Sequence, residues 1–392
     1  MRILIAHARY IDPGGEEAVI DTQERVLVAL GHEVVRYEQH NAGIDAGIVT
    51  KLRGAGASVW SRRAQRAIAD VIGTEHPDVL HVHNIFQAMS PSIYGAARRA
   101  GVPVVQHLHN ARYVCVNAFL ERDGHSCTDC VRKTLTWPGV VHRCYRDSLP
   151  QSVAATAVQL THRARRTYHR DVDRFLAVSE ALASTLRDAR VVPASRLTVC
   201  HNGLDPDPGE REPGDDRGYA LYVGRLSPEK GVDVLIEAAA AVPELPLRIA
   251  GDGPQRGALE AVVAGRQLRH VTFLGRVDTQ QLAVERRGAR VTVVPSVGAD
   301  PLPTAIIEAA ATGLPTIGAR TGGIPELVVD GVTGTLVPAG NPSALAAALR
   351  AAHAQPSVLA SMGRAARADF EQRFSGAAFG ARLVSAYESV LR

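Results

Sequence analysis

Two cations five residues apart close an apolar run in Tyr222-Val223-Gly224-Arg225-Leu226-Ser227-Pro228-Glu229-Lys230-Gly231. A guanidinium grips phosphate oxygens through two parallel N–H groups and an ammonium acts as a point charge, so Arg225 and Lys230 together suit a diphosphate. The chain carries three lysines, Lys51, Lys133 and Lys230, so nearly every cation is arginine and a lysine here is not filler. Two cations on a surface loop would by themselves mean little; Gly224, Gly231 and the strand before them add the weight. Downstream, Asp300 and Glu308 stand eight residues apart. If a loop precedes a helix starting near Thr304, both carboxylates look into one cleft, where a carboxylate accepts two hydrogen bonds from a vicinal diol. Alone, Glu308 reads as an ordinary helix-face acid. Backbone N–H groups at that helix start favour negative charge. Gly251-Asp252-Gly253 is a second strand-to-turn junction whose backbone can approach a ligand closely. Gly275-Arg276-Val277 is a third, with backbone placed to meet a flat nucleobase.

In the first half, Gly14-Gly15-Glu16-Glu17 follows the first apolar run, and His81-Val82-His83-Asn84 and Gln106-His107-Leu108-His109-Asn110 end two others. Cys115, Cys127, Cys130 and Cys144 fall in one insert, about 111–148, with the spacing C-x11-C-x2-C-x13-C. Four thiolates suit a tetrahedral structural zinc; free thiols are the alternative, since disulfides are disfavoured in a reducing compartment. Cys200 stands apart and reads as a small apolar core residue.

These residues need rigid elements beneath them. Short Val/Ile/Leu-rich runs alternate with amphipathic stretches, the pattern of β-α units on a parallel sheet. Strands are expected at 79–83, 102–106, 174–178 and 197–200, after a first strand at Arg2–Ala6. A second set is expected at 220–223, 247–250, 271–274, 290–294, 315–317 and 335–337. The segment Gly203–Gly218, rich in proline, glycine and acids, reads as a linker. The expected division is a domain 1–203, a linker 204–218, a domain 219–374 and a C-terminal helix 375–392 packing back toward the first domain. The fold class is α/β, two doubly wound Rossmann-like domains facing across a cleft, with ligands at the strand-to-helix loops.

A chain of 392 residues exceeds one ordinary core, and 46% hydrophobic with 21% charged residues is a globular composition. No apolar run reaches the roughly 20 residues of a membrane span. Residues 2–6 read as a core strand rather than a signal peptide, so a cytoplasmic location is expected. A net charge of +4 is too small to point to nucleic acid. Cations from Arg132 to Arg170 face few acids; they read as a solvated helix face, as a peripheral contact to the inner face of a membrane, or as a contact to a phosphorylated acceptor.

Together these motifs resemble retaining glycosyltransferase family 4, with the GT-B fold, over nearly the whole chain; the Gly-Gly-Glu-Glu loop and the cysteine insert suggest a subgroup. The resemblance implies transfer of a sugar from a nucleoside-diphosphate donor to a hydroxyl of a glycan, lipid-linked or small natural-product acceptor. UDP is favoured over GDP or dTDP, and no catalytic metal or other cofactor is expected. In that family Arg225 and Lys230 correspond to the phosphate-gripping cations, Glu308 to the ribose contact, and Asp300 to the carboxylate at the transferred sugar, where a glutamate is usual. Pro303 replaces a usual glycine, removing a backbone donor beside Thr304. Gly14 and Gly15 match the loop whose main chain reaches phosphate or acceptor. His109 matches the histidine at the donor sugar, with Asn110 replacing an aspartate; His83 and His107 are expected to be structural. Two other readings are an inactive nucleotide-sugar-binding subunit and a sugar-nucleotide epimerase of the same fold.

Overall fold

A computed structural model describes residues 1–9, 14–40, 58–86, 88–205, 208–212 and 214–392. The chain divides into two units. One comprises Met1–Leu120, Thr128–Asn202 and Phe379–Arg392, the other Glu121–Cys127 and Gly203–Ala378.

In chain order the first half carries β1 (Arg2–Arg9), α1 (Gly15–Ala29), β2 (Glu33–His40), α2 (Arg62–Glu75), β3 (Val79–Val82), α3 (Ser92–Arg99) and β4 (Val104–Leu108). A short antiparallel hairpin follows, β5 (Glu121–Arg122) and β6 (His125–Ser126). Then come α4 (Trp137–Val141), α5 (Leu149–Ala164), α6 (Thr167–Asp171), β7 (Arg174–Ala177), α7 (Glu180–Ala189) and β8 (Leu197–Val199). The sheet order is β2-β1-β3-β4-β7-β8, with neighbours parallel. Strand β1 has six consecutive buried residues, as a strand covered on both faces requires. Strand β2 is absent from the sequence-based expectation: Glu33–His40 is an edge strand with charged and polar residues scattered through it and no fully buried position. Strand β4 begins at Val104, two residues later than expected, just after Pro103.

The second half carries β9 (Tyr219–Val223), α8 (Val232–Ala240), β10 (Leu247–Ala250), α9 (Arg256–Gly265), β11 (Val271–Gly275), α10 (Thr279–Gly288), β12 (Ala289–Val294) and α11 (Thr304–Ala311). It continues with β13 (Thr316–Ala319), α12 (Ile324–Leu327), β14 (Gly334–Val337), α13 (Pro342–Ala354), α14 (Pro356–Arg373) and α15 (Gly376–Leu391). Its parallel sheet has the order β11-β10-β9-β12-β13-β14. The six strands expected here are the six observed, each shifted by two residues at most.

Both sheets are doubly wound. Strand order reverses between β1 and β3 in the first and between β9 and β12 in the second, and the crevice beyond the carboxyl ends at such a reversal is where α/β sheets bind ligands. Helix α15 completes the first unit's core, with Phe379, Leu383 and Tyr387 packed among Ile3, Ile5, Val19 and Leu27. Among the described residues no helix is long and apolar enough to cross a membrane.

Candidate functional site

Arg225, Lys230 and Asp300 follow the carboxyl ends of β9 and β12, which are adjacent at the second sheet's reversal point. After β9 the chain makes a 3-10 turn over Pro228–Lys230, with Lys230 N–H donating to Ser227 O at 3.0 Å. That turn is stitched to the β12 loop, because Glu229 O accepts from Val297 N–H and Gly298 N–H, both at 3.0 Å. Lys230 Nζ and Asp300 Oδ2 then form a direct ion pair. Burial works against the Lys230 charge, but the carboxylate of Asp300 outweighs it and raises the ammonium pKa. Arg225 is exposed and near enough for its charge to act on Lys230. Asp300 O accepts from Gly323 N–H at 2.8 Å, which ties in the loop after β13. Loops from three neighbouring strands thus make one rim holding two cations and a carboxylate.

Gly224, Gly251 and Gly253 hold this rim together in a way the sequence does not reveal. A Cβ on Gly251 would stand 1.8 Å from Gly224 O, and one on Gly253 would stand 2.4 Å from Leu226 O. Leu226 N–H donates to Asp252 O at 2.9 Å and Gln255 N–H to Leu226 O at 3.0 Å. On the side where a Cβ would stand, Gly251 and Gly253 meet the protein's own backbone, which packs the β10 turn onto the loop carrying Arg225.

Helix α11 starts at Thr304, where the spacing predicts it, with Pro303 as its N-cap. Its Glu308 forms an ion pair with Arg286 of α10, whose pKa burial pushes down to about 10. Asp300 and Glu308 therefore have different partners: the structure joins Asp300 to Lys230 and leaves Glu308 one helix away. Arg286 is absent from the sequence-based candidates, since Arg286-Arg287 in the last turn of a helix looks like ordinary dipole compensation. Arg276 is largely exposed, with Nε 3.9 Å from Asp252 Oδ2. Val277 packs against a core cluster that includes Tyr219, Leu221, Ala250 and Leu314, so its side chain serves the core.

In the first unit Gly14 caps α1, its N–H donating to Glu17 at 2.8 Å, and Gly15 opens the helix on the surface. Glu16 and Glu17 in that first turn suit the helix dipole. A cleft lies beyond the ends of β3 and β4, lined among others by Glu16, Asn84, His109, Asn110 and Arg112. His109 also heads a chain of hydrogen bonds running into the core. His109 Nε2 is 2.8 Å from His83 Nδ1, and His83 Nε2 is 2.9 Å from Gln23 Oε1. Gln23 Nε2 donates to Tyr387 Oη at 2.9 Å, and Tyr387 Oη lies 2.8 Å from His81 Nδ1. With Gln23 as donor to the phenol, one assignment satisfies every link: Tyr387 donates to His81, His83 to Gln23 and His109 to His83. That assignment leaves His109 Nδ1 with its lone pair. It also needs neutral rings, and burial supplies them. It lowers the His109 pKa to about 3, with His7 adding to the effect and Glu17 opposing it, and it pushes His81, His83 and His107 well below the usual value. Gln23 and Tyr387 are missing from the sequence-based candidates because Tyr387 continues the apolar stripe of Phe379 and Leu383 and reads as core.

The zinc expectation is not supported. The described residues contain two groups of three potential metal ligands with atoms within 4.8 Å of one another, His81–His83–His107 and Glu16–His83–His109, and no cysteine belongs to either. Cys127 lies with the second unit and Cys115, Cys130 and Cys144 with the first. Cys115 Sγ is 2.9 Å from Asn117 Oδ1, and Cys130 is a buried thiol. Cys200 packs in the first unit's core, where burial raises its pKa to about 11, against the influence of Arg382.

Residues 13–208 match the family described as Glycosyltransferase Family 4, and residues 206–369 match Glycosyl transferases group 1. D-inositol 3-phosphate glycosyltransferase of Mycolicibacterium smegmatis is 33% identical over 188 residues, 43% of this chain and 42% of that one. The chain spans about half the length of the curated relatives it matches. Anabaena HepE in complex with UDP is similar in structure, with a TM-score of 0.69 and 20% identity over 99% of this chain and 100% of that chain. Sucrose-phosphate synthase from Thermosynechococcus elongatus has a TM-score of 0.74 at 19% identity, over 99% of this chain and 98% of that one. These likenesses show a GT-B fold. Since the first of the two family patterns by itself spans half of the 392 residues, the protein belongs to glycosyltransferase family 4.

Proposed function

We propose that the chain is a retaining glycosyltransferase that transfers a sugar from a nucleoside-diphosphate donor, UDP in preference to GDP or dTDP, to a hydroxyl acceptor. The observation that carries this reading is the rim of Arg225, Lys230 and Asp300 at the second sheet's reversal point. In this reading residues 219–374 bind the donor, residues 1–203 the acceptor, and 204–218 link them, with 375–392 returning as a helix. As the bond to the sugar breaks, charge gathers on the diphosphate. Arg225, Lys230 and the N–H groups that open α11 at Thr304 are the groups that gain most from that charge. A diphosphate competes with Asp300 for Lys230, which frees the carboxylate for the sugar. Glu308 is assigned to the ribose diol, an exchange in which it gives up part of its contact with Arg286. The backbones of Gly224, Gly251, Gly253, Arg276 and Val277 frame the donor; in the first unit Gly14 and Gly15 are the donor-binding candidates and His109 the catalytic candidate. The acceptor hydroxyl attacks on the leaving-group face and passes its proton to the departing phosphate. The preference for UDP is supported by HepE, a structural relative that binds UDP and UDP-glucose.

The same reading places the protein in the cytoplasm with a peripheral contact to the membrane. It is supported by exposed Leu135, Trp137, Val141, Leu149 and Val153 interspersed with exposed Arg132, Lys133, Arg143 and Arg146.

Turnover of a UDP-sugar by purified variants tests the site. Lys230→Ala and Arg225→Ala should each lose about 10²-fold or more in kcat, with circular dichroism unchanged. Near-normal rates in both would remove the assignment. A thermal-shift panel of UDP, GDP and dTDP tests the donor: UDP at about 100 times its Kd should stabilise by about 2.7 kcal/mol, and an equal response to all three would end the preference.

A further inference from the structure

Much of the polar lining of the first unit's cleft is bonded within the protein. Gln159 accepts from Thr136 Oγ1 at 2.6 Å and donates to Arg112 O at 2.6 Å; Tyr113 meets Tyr94 Oη at 3.1 Å. Glu16 accepts from Asn84 N–H at 3.0 Å and lies 3.7 Å from His7. Arg112 differs. Its Nε and Nη1 are buried, and among the described residues neither has a hydrogen-bond acceptor. Its Cζ lies 4.3 Å from the centre of the Phe86 ring and 5.4 Å from that of Tyr145. Rings attract the charge through their π faces, but they do not take the in-plane N–H bonds of a guanidinium. Charged N–H groups withdrawn from water with no acceptor are costly unless a ligand supplies one. The main chain at Arg112 is held in place: its N–H donates to Asn110 Oδ1 at 3.1 Å, and its carbonyl accepts from Gln159.

We infer that Arg112 is the receptor for an oxyanion on the acceptor, so that the acceptor is a sugar or polyol carrying a phosphate monoester or a carboxylate. The inference rests on the reading of the first unit as the acceptor side. A planar guanidinium matches both oxyanions with two parallel bonds, and the aromatic side chains around it give the apolar face of a sugar ring a surface to lie on.

The test is calorimetry on the full chain with saturating UDP, so that the diphosphate site is filled, using glucose 6-phosphate, glucuronate and glucose as probes. At least one anionic hexose should bind roughly tenfold or more tighter than glucose, and the better of the two identifies phosphate or carboxylate as the group recognised. Arg112→Gln should bring the three probes to within about twofold of one another, and Arg112→Lys, which keeps the charge but loses the fork, should fall between. An equal response to all three probes in the wild type, or an anion preference that survives in Arg112→Gln, overturns the inference. If Arg112→Gln does not fold, an unchanged preference in Arg112→Lys overturns it equally. Stabilisation by UDP is read in the same samples: its absence from the wild type counts against the donor reading, whereas its presence without an anion preference counts against Arg112 alone.

Discussion

His109 stays neutral because it is buried away from water, with His7 adding to the effect, and this has a consequence for stability. An imidazole in an unfolded chain titrates near 6.5, whereas His109 in the folded protein titrates at about 3. Between those values the unfolded state binds more protons. The stability contributed by this group is therefore complete above about pH 6.5 and is lost as pH falls toward 3. His81, His83 and His107 shift in the same direction. Urea midpoints should fall between pH 7 and pH 4, and His109→Asn should make that fall shallower by at most about 1.4 kcal/mol per pH unit. An identical slope in the variant would show that His109 is not held neutral. Lys230 presents the opposite case: burial works against its charge, and a carboxylate at contact distance supports it. In the sequence both residues look alike, a lone titratable group at a strand end. Their neighbours separate them, and those neighbours come from Asp300, 70 residues away, and from His83, 26 residues away.

At the scale of elements, three loops of the second unit are held by backbone contacts that a single methyl group would break. Gly251→Ala places a carbon 1.8 Å from Gly224 O and should cost about 3 kcal/mol or more, with loss of donor binding, because the β9 loop is displaced with it. Gly14→Ala, with nothing within 4 Å of the added carbon and an extended backbone, should cost about 1 kcal/mol or less. Chemical denaturation of the two variants checks the contrast, and equal costs would show that the contact at Gly251 is not what holds the loop. Both glycines stand out in the sequence as turn residues after a strand. Which of them is packed and which is open depends on the strand next to it in the sheet, and β9 lies beside β10 through a pairing that no local pattern encodes. The strands themselves were legible where they are buried on both faces. Strand β2, half-exposed along its length, was not, because an edge strand need not alternate or run apolar.

At the scale of the whole molecule, apolar and basic side chains share the exposed segment from Arg132 to Val153, and Lys133 lies 4.7 Å from the ring of Trp137. Each cation near an anionic surface contributes about 1 kcal/mol, and the apolar side chains add burial at the headgroup boundary. Co-sedimentation should show binding to phosphatidylglycerol vesicles well above that to phosphatidylcholine vesicles. The double variant Trp137→Ser, Val141→Ser should reduce the bound fraction several-fold. Equal binding to both vesicle types by the wild type would end the membrane reading. Much of the architecture follows from the sequence by itself. Hydrophobic periodicity and turn residues set two parallel α/β sheets, the start of α11 at Thr304 and the strand-end positions of Arg225, Lys230 and His109, because these depend on spacing along the chain. Only the tertiary structure decided that Lys230 pairs with Asp300 and Glu308 with Arg286, that Tyr387 reaches His81, and that among the described residues the cysteines join no ligand group and Arg112 Nε and Nη1 are buried without an acceptor. The physical reason is that pairing energies and desolvation act across space, between groups whose separation along the chain carries no trace of their contact.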